Sequence, residues 1–222
     1  MRIKLWRTLL LGMSIALCAA PLATAAQAAQ DEWQLAKKTR PGLTLPMAKF
    51  KCDMQRLWID HGNWTHKYIV SAIAGMEDKD KVLARLLRNQ QDIGNAIKPY
   101  YGEDVGNKYA SLLTEHIVLA GKLIDALKSG NQADAEKINK DWYKNADDIA
   151  RYLSGINPNW TYQDLKAIWE RHLEFVAAQA KARFAKDWEA DIAAFDKGED
   201  HLIKYANTLS TGIVKQFPNK FQ

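Results

Sequence analysis

The sequence predicts an all-α protein: an antiparallel helical bundle built from about three repeated helical hairpins, six helices in all. From about Cys52 onward, apolar residues recur at the three-to-four spacing of helices, with no strand-like alternation and no Asn-Gly hairpin. Proline and glycine cluster between the periodic segments, and histidines recur at a nearly constant interval. These observations place helices near 53–76, 80–99, 104–129, 132–154, 161–195 and 199–216.

Residues 1–28 have the pattern of a secretory signal peptide. MRIKLWR is basic, LLLGMSIALCAAPLA is apolar, and ATAAQAA offers cleavage sites after Ala25 or Ala28. The apolar run is too short for a good transmembrane span, which needs roughly 20 residues. We therefore expect a periplasmic or secreted protein without a transmembrane segment in its mature chain.

Export changes what the charge implies. The chain has 31 basic and 26 acidic residues, and the signal removes Arg2, Lys4 and Arg7, so the net charge falls from +5 to about +2. A balance this close to zero gives no support to a nucleic-acid partner. Only Cys52 remains after cleavage, so no internal disulfide is expected, and Cys52 either pairs between chains or has no partner.

We predict an irregular N-terminal arm over 29–51, followed by a single helical-bundle domain over 52–222. The arm contains two prolines and a glycine and has no sustained period. Thr161 and Asp164 have the spacing of a helix-capping pair, which predicts that a helix begins there. The DKGED segment around 198 predicts the last break between helices.

An internal repeat is indicated by residues at a nearly constant offset. The interval from His61 to His116 and the interval from His116 to His172 differ by only one position. In the helices that follow the first two histidines, Asn89 and Asn145 are separated by the same interval as His116 and His172. Matched positions at one interval predict duplicated helical hairpins.

Each histidine lies on the apolar stripe of its helix, and the asparagines occupy the same kind of position. At a rise of about 1.5 Å per residue, antiparallel packing would bring His116 and Asn145 to the same level, and His61 within roughly 6 Å of Asn89 in height. The sequence therefore predicts one buried layer, hereafter the His/Asn layer: His61, Asn89, His116, Asn145 and His172.

Three converging imidazoles can hold a transition-metal ion, and His61, His116 and His172 are the candidate ligands. Asp60, Glu115 and Glu170 lie one or two residues from these histidines in sequence, on other faces of the helices, so we expect supporting roles for them. The Glu-x-x-His pair of di-iron bundles is absent, because Glu170 is two residues from His172.

Two functional hypotheses follow from the layer. In the first, an exported binding protein holds a transition-metal ion or a small ligand at the His/Asn layer. In the second, a structural or stress-related interaction protein uses a self-satisfied layer only to specify the bundle. An enzyme is less favoured, because no nucleophile–base pair, Gly-rich phosphate loop or GxSxG elbow is found. The sequence identifies neither a cofactor nor a partner.

The runs LLTEHIVLAGKLIDALKSGN and DWYKNADDIARYLSGINPNW resemble a group of bacterial exported or small all-helical proteins of unassigned function. The resemblance extends from about Leu57 to Phe217. It implies an all-helical fold and adds no catalytic residues.

Overall fold

The computed structural model describes residues 26–32 and 42–222. Within these ranges the regular structure is helical and contains no strand, so the all-α prediction is confirmed. Residues 26–32 are helical, and residues 44–222 form a separate compact unit. Residues 1–25 of the predicted signal peptide and 33–41 of the predicted arm lie outside the described residues.

The unit over 44–222 contains long helices joined by connections of one to five residues. They are α1 (Leu45–Ala74), α2 (Lys79–Tyr101), α3 (Glu103–Lys128), α4 (Gln132–Ile156), α5 (Tyr162–Ala185) and α6 (Trp188–Gln216), followed by a 3-10 turn over Pro218–Phe221. Such short connections make neighbouring helices antiparallel. Each helix packs against the next, and α1 also packs against α6, so the helices close into a ring.

The first helix begins at Leu45, earlier than the sequence predicted, so residues 45–51 belong to the bundle and not to an irregular arm. Thr44 caps the helix, because its hydroxyl accepts a hydrogen bond from the Met47 N–H at 3.3 Å. Pro46 lies in the first turn, where a missing N–H costs no helical hydrogen bond. Cys52 is exposed on α1 and is a free thiol.

The start of α5 matches the prediction. The Asp164 N–H donates to the Thr161 hydroxyl at 3.1 Å, and that hydroxyl donates to the Asp164 carboxylate at 2.7 Å. The Thr161 cap is therefore confirmed.

The break between the last two helices lies near 186, and the predicted break around 198 is wrong. Lys186 ends α5 in the left-handed conformation (φ 58°), and the Asp187 side chain caps α6 by accepting from the Ala190 N–H at 3.0 Å. Gly198 lies buried inside α6, where an added Cβ would be 3.2 Å from the Gln179 side chain of α5. This glycine permits close packing of the two helices and is not a turn residue.

Aromatic side chains fill the centre of the bundle. Trp58 and Tyr205 pack edge to face with ring centres 4.6 Å apart. The Trp169 indole N–H donates to the Tyr205 hydroxyl at 3.1 Å, and that hydroxyl lies 3.2 Å from the Tyr109 hydroxyl. None of the described helices combines the length and apolarity needed to cross a membrane.

Candidate functional site

The three predicted histidines meet in the bundle interior, contributed by α1, α3 and α5. The ring centre of His172 is 5.6 Å from that of His61 and 5.9 Å from that of His116. Asn89 and Asn145 are buried on α2 and α4, and all five residues of the His/Asn layer are at most 5% exposed. The alternating helices thus contribute histidine and asparagine in turn.

Both ring nitrogens of His116 have partners within the protein. Its Nδ1 lies 3.0 Å from the Asn145 side-chain oxygen, and its Nε2 accepts from the Trp142 indole N–H at 3.1 Å. Because an indole nitrogen can only donate, the proton of the neutral ring is on Nδ1, which donates to Asn145. The Asn145 amide donates in turn to the Leu112 carbonyl at 3.2 Å, so this part of the layer is a complete hydrogen-bonded chain.

The histidines of α1 and α5 are less well satisfied. The Gln90 amide nitrogen lies 3.3 Å from His61 Nδ1, whereas His61 Nε2 and His172 Nε2 are buried without a hydrogen-bond partner among the described residues. The Gln90 side-chain oxygen also has no partner within that part of the chain. Asn89 donates to the Leu57 carbonyl at 3.0 Å, one turn before His61. Unpaired polar atoms therefore gather around His61 and His172.

Burial keeps the three imidazoles neutral. It lowers the pKa of His61 from its usual 6.5 to about 4, with hydrogen bonds from Gln90 and Asn89 opposing the shift. The pKa of His116 falls to about 3, first through burial and then because a positive charge on His61 would repel one on His116. Burial, followed by the charges of His61 and His116, lowers the pKa of His172 well below 6.5.

A metal site built from the three predicted histidines does not fit this geometry. The His116 Nε2 lone pair already accepts the Trp142 N–H, and His116 Nδ1 carries the proton, so His116 has no free donor atom for a metal. Within the described ranges, no group of three or more His, Cys, Asp or Glu side chains is arranged to hold a metal ion.

The three acids expected to support the layer have other surroundings. Asp60 forms an ion pair with Arg85 at 3.4 Å, and Glu170 forms one with Lys166 on its own helix. Glu115 is exposed. None of the three hydrogen-bonds to a histidine of the layer.

Two residues outside the predicted layer, Gln90 and Trp142, take part in its hydrogen bonding. Trp142 precedes Asn145 by three residues, which places the two side chains on one face of α4. Gln90 is adjacent to Asn89, and its amide also donates to the Leu86 carbonyl at 2.8 Å. The three-residue spacing between Trp142 and Asn145 could have indicated that Trp142 reaches the layer. An indole on an apolar stripe, however, is more often a packing residue.

An apolar cavity of about 480 Å³ lies at the end of the bundle that carries the α1–α2, α3–α4 and α5–α6 connections. Its wall includes side chains of α1 to α5, among them Tyr68, Ile69, Leu86, Ile117, Leu123, Ile124, Trp142, Val176 and Phe184. Trp142 belongs both to this wall and to the His116 chain, so the cavity adjoins the His/Asn layer. Exposed Gln132, Glu136 and Lys181 place one side of the cavity at the surface.

Few polar atoms interrupt the cavity wall. The Thr65 hydroxyl is buried there without a hydrogen-bond partner among the described residues, and Tyr68 contributes a phenol whose pKa is raised, chiefly by burial. Aliphatic and aromatic walls with one or two oriented polar groups are typical of sites for small apolar molecules.

Comparison with known proteins finds no matching family model, no matching curated sequence and no matching solved structure.

Proposed function

We propose that this protein is an exported helical-bundle binding protein that holds an apolar small molecule in the cavity beside its His/Asn layer. The observation that carries this proposal is the apolar cavity of about 480 Å³. Ligand pockets commonly enclose roughly 300–1,000 Å³ and have mainly hydrophobic walls. Transfer of apolar surface from water into such a pocket stabilises a complex by about 25 cal/mol per Å².

The His/Asn layer supports one wall of the cavity. The chain from Asn145 through His116 to the Trp142 indole holds the Trp142 ring in place against the wall. A wall fixed by a satisfied polar chain needs little reordering when a ligand binds, which favours affinity. The layer in this proposal positions the site, and the cavity receives the ligand.

A structural or interaction protein is the second candidate. It is favoured by one observation: both nitrogens of His116 are satisfied by the protein itself, as expected of a layer that only specifies the bundle. Ligand binding by the cavity separates the two candidates, because a purely structural protein has no need of it.

We also propose that the bundle consists of three repeated helical hairpins. Three hydrogen bonds at matching positions support this. Asn89 bonds to the carbonyl of Leu57, Asn145 to that of Leu112 and the His201 imidazole to that of Ile168, at 3.0, 3.2 and 2.9 Å. The three side chains follow one another at equal intervals along the chain, and each carbonyl lies four residues before a histidine of the layer. The third pair would then carry histidine where the first two carry asparagine.

Export to the periplasm or the exterior is the proposed localisation. It is supported by the basic, apolar and small-residue segments over residues 1–28.

The test of the binding function uses N-phenyl-1-naphthylamine, a neutral probe whose fluorescence rises in apolar sites. We expect saturable binding to the wild type, and about tenfold weaker binding to Ala120→Leu, because the larger side chain fills part of the cavity. Ala193→Leu, at an exposed position on α6, is the matched control and should bind as the wild type does. Absence of saturable binding to the wild type, or equal affinity in Ala120→Leu, would reject the cavity as the site.

A further inference from the structure

A second groove, hereafter the basic groove, lies beside the apolar cavity at the same end of the bundle. Its volume is about 420 Å³, and its wall includes Lys128, Arg183, Lys186 and Trp188. Among the described residues that line it, three are basic and none is acidic. Such a local excess of one sign of charge attracts ligands of the opposite sign.

The apolar cavity and the basic groove share two wall residues. Leu127 and Phe184 line both, and they are 42% and 39% exposed. Trp188 continues this apolar surface within the groove and is 52% exposed. Exposed apolar side chains grouped in this way mark a binding surface more often than an ordinary solvated one. One molecule could therefore occupy both spaces by crossing Leu127 and Phe184.

The cations of the groove are not equally free. Arg183 Nε is 2.6 Å from the carboxylate of Asp191, which is fully buried, so much of its charge is already balanced. The contact is an ion pair only. The Arg183 Nε–H is not aligned for a hydrogen bond with that carboxylate or with any other acceptor among the described residues.

Lys128 and Lys186 have no such balance. The Lys128 ammonium donates to the Ala72 carbonyl at 2.8 Å, and neither lysine forms an ion pair with a carboxylate of the described residues. Both are exposed at the end of the bundle. They are the two cations available to an acidic group that enters the groove.

We infer that the ligand is an amphiphile whose apolar chain fills the cavity and whose acidic head group lies in the basic groove against Lys128 and Lys186. This inference rests on the proposed binding function and adds the chemical class of the ligand. Charge complementarity supplies the head-group preference, and the shared wall at Leu127 and Phe184 supplies the continuity.

The test compares dodecanoate with 1-dodecanol, which share an apolar chain and differ in head-group charge, as competitors of bound N-phenyl-1-naphthylamine. We expect dodecanoate to bind the wild type about tenfold more tightly, from two partly exposed charge contacts. The double variant Lys128→Gln/Lys186→Gln should remove this difference and leave the affinity for dodecanol unchanged. Lys137→Gln, an exposed lysine of α4 that lines neither space, is the control and should retain the preference.

Each contrary result has a separate meaning. Equal affinities of the wild type for dodecanoate and dodecanol would overturn the head-group assignment and leave the binding function intact. If the naphthylamine binds but neither dodecanoate nor dodecanol displaces it, the head-group assignment is likewise overturned and the binding function stands. Failure of the naphthylamine itself to bind the wild type would reject the binding function and this inference together.

Discussion

The two parts of the His/Asn layer carry the same kind of residue and differ in how it is satisfied. Around His116, the ring has a partner at each nitrogen. Around His61 and His172, each ring leaves its Nε2 buried without a partner among the described residues. Equivalent spacing in the sequence has therefore produced three buried histidines, of which one has a complete set of hydrogen bonds.

The difference traces to three positions that recur at the interval of the proposed repeat. The residue that reaches His116 Nε2 is Trp142, and the corresponding positions hold Leu86 in α2 and Gly198 in α6. Leucine offers no donor, and glycine has no side chain. His172 and Gly198 instead line a cavity of about 10 Å³, close to the minimum that holds one water molecule. The partners of a buried histidine thus depend on one side chain of the facing helix.

Acidification should have the largest effect, because it acts on both parts of the layer together. The buried histidines have pKa values below 6.5 in the folded protein, so below that pH the unfolded chain binds more protons. Stability from this source is complete above pH 6.5 and is lost as the pH falls through the folded-state pKa values, which are about 4 for His61 and about 3 for His116. Each histidine contributes a slope of about 1.4 kcal/mol per pH unit, so we expect a loss of several kcal/mol between pH 7 and 5.

Urea unfolding at a series of pH values checks this expectation. His201, whose pKa burial also lowers, adds to the loss in the same direction. In the variants His116→Leu and His172→Leu, the free energy of unfolding should fall less steeply with pH. The slope should decrease by the contribution of one histidine, about 1.4 kcal/mol per pH unit. A free energy of unfolding that is constant from pH 7 to 5 would contradict the neutral, buried layer.

His116→Leu and His172→Leu separate the two parts directly. Leucine at 116 leaves the Asn145 oxygen and the Trp142 N–H buried without partners, at about 1–3 kcal/mol each, so we expect a loss of about 2–6 kcal/mol. Leucine at 172 removes an imidazole whose Nε2 has no partner among the described residues, so the change should stay within about 1 kcal/mol.

Urea unfolding at pH 7.5 measures both variants against the wild type. Equal losses in the two would show that His172 is as well satisfied as His116, for example through a bound water or ligand. The contrast between the two parts of the layer would then be wrong.

Trp142→Phe should destabilise the protein less than His116→Leu does, because it leaves one buried group without a partner and not two. It retains an aromatic ring in the cavity wall and removes the N–H that His116 Nε2 accepts, which we expect to cost about 1–2 kcal/mol. Urea unfolding gives the free energy. Trp160→Phe, which removes the indole N–H that the Thr208 carbonyl accepts at 3.2 Å, is a comparison for loss of an indole hydrogen bond away from the layer. If Trp142→Phe costs nothing, the hydrogen bond to His116 contributes no stability.

Local pattern alone predicts the helices and the burial of the histidines, because a period of 3.6 residues places apolar residues on one face. The Thr161 cap is predicted for the same reason, since a cap and its partner are three residues apart. The errors at 45–51 and near 198 have local causes too: a proline in a first turn and a glycine within a helix resemble breaks until their packing is known.

Contacts between helices decide the rest. The predicted metal site required free lone pairs on three histidines, and Trp142, on the helix that follows that of His116, occupies one of them. The apolar cavity and the basic groove are likewise assembled from residues of several helices, and no single segment contains their signal. Helical periodicity determines which side chains point inward. Only the packing of neighbouring helices decides which of those side chains meet, and which are left facing a space.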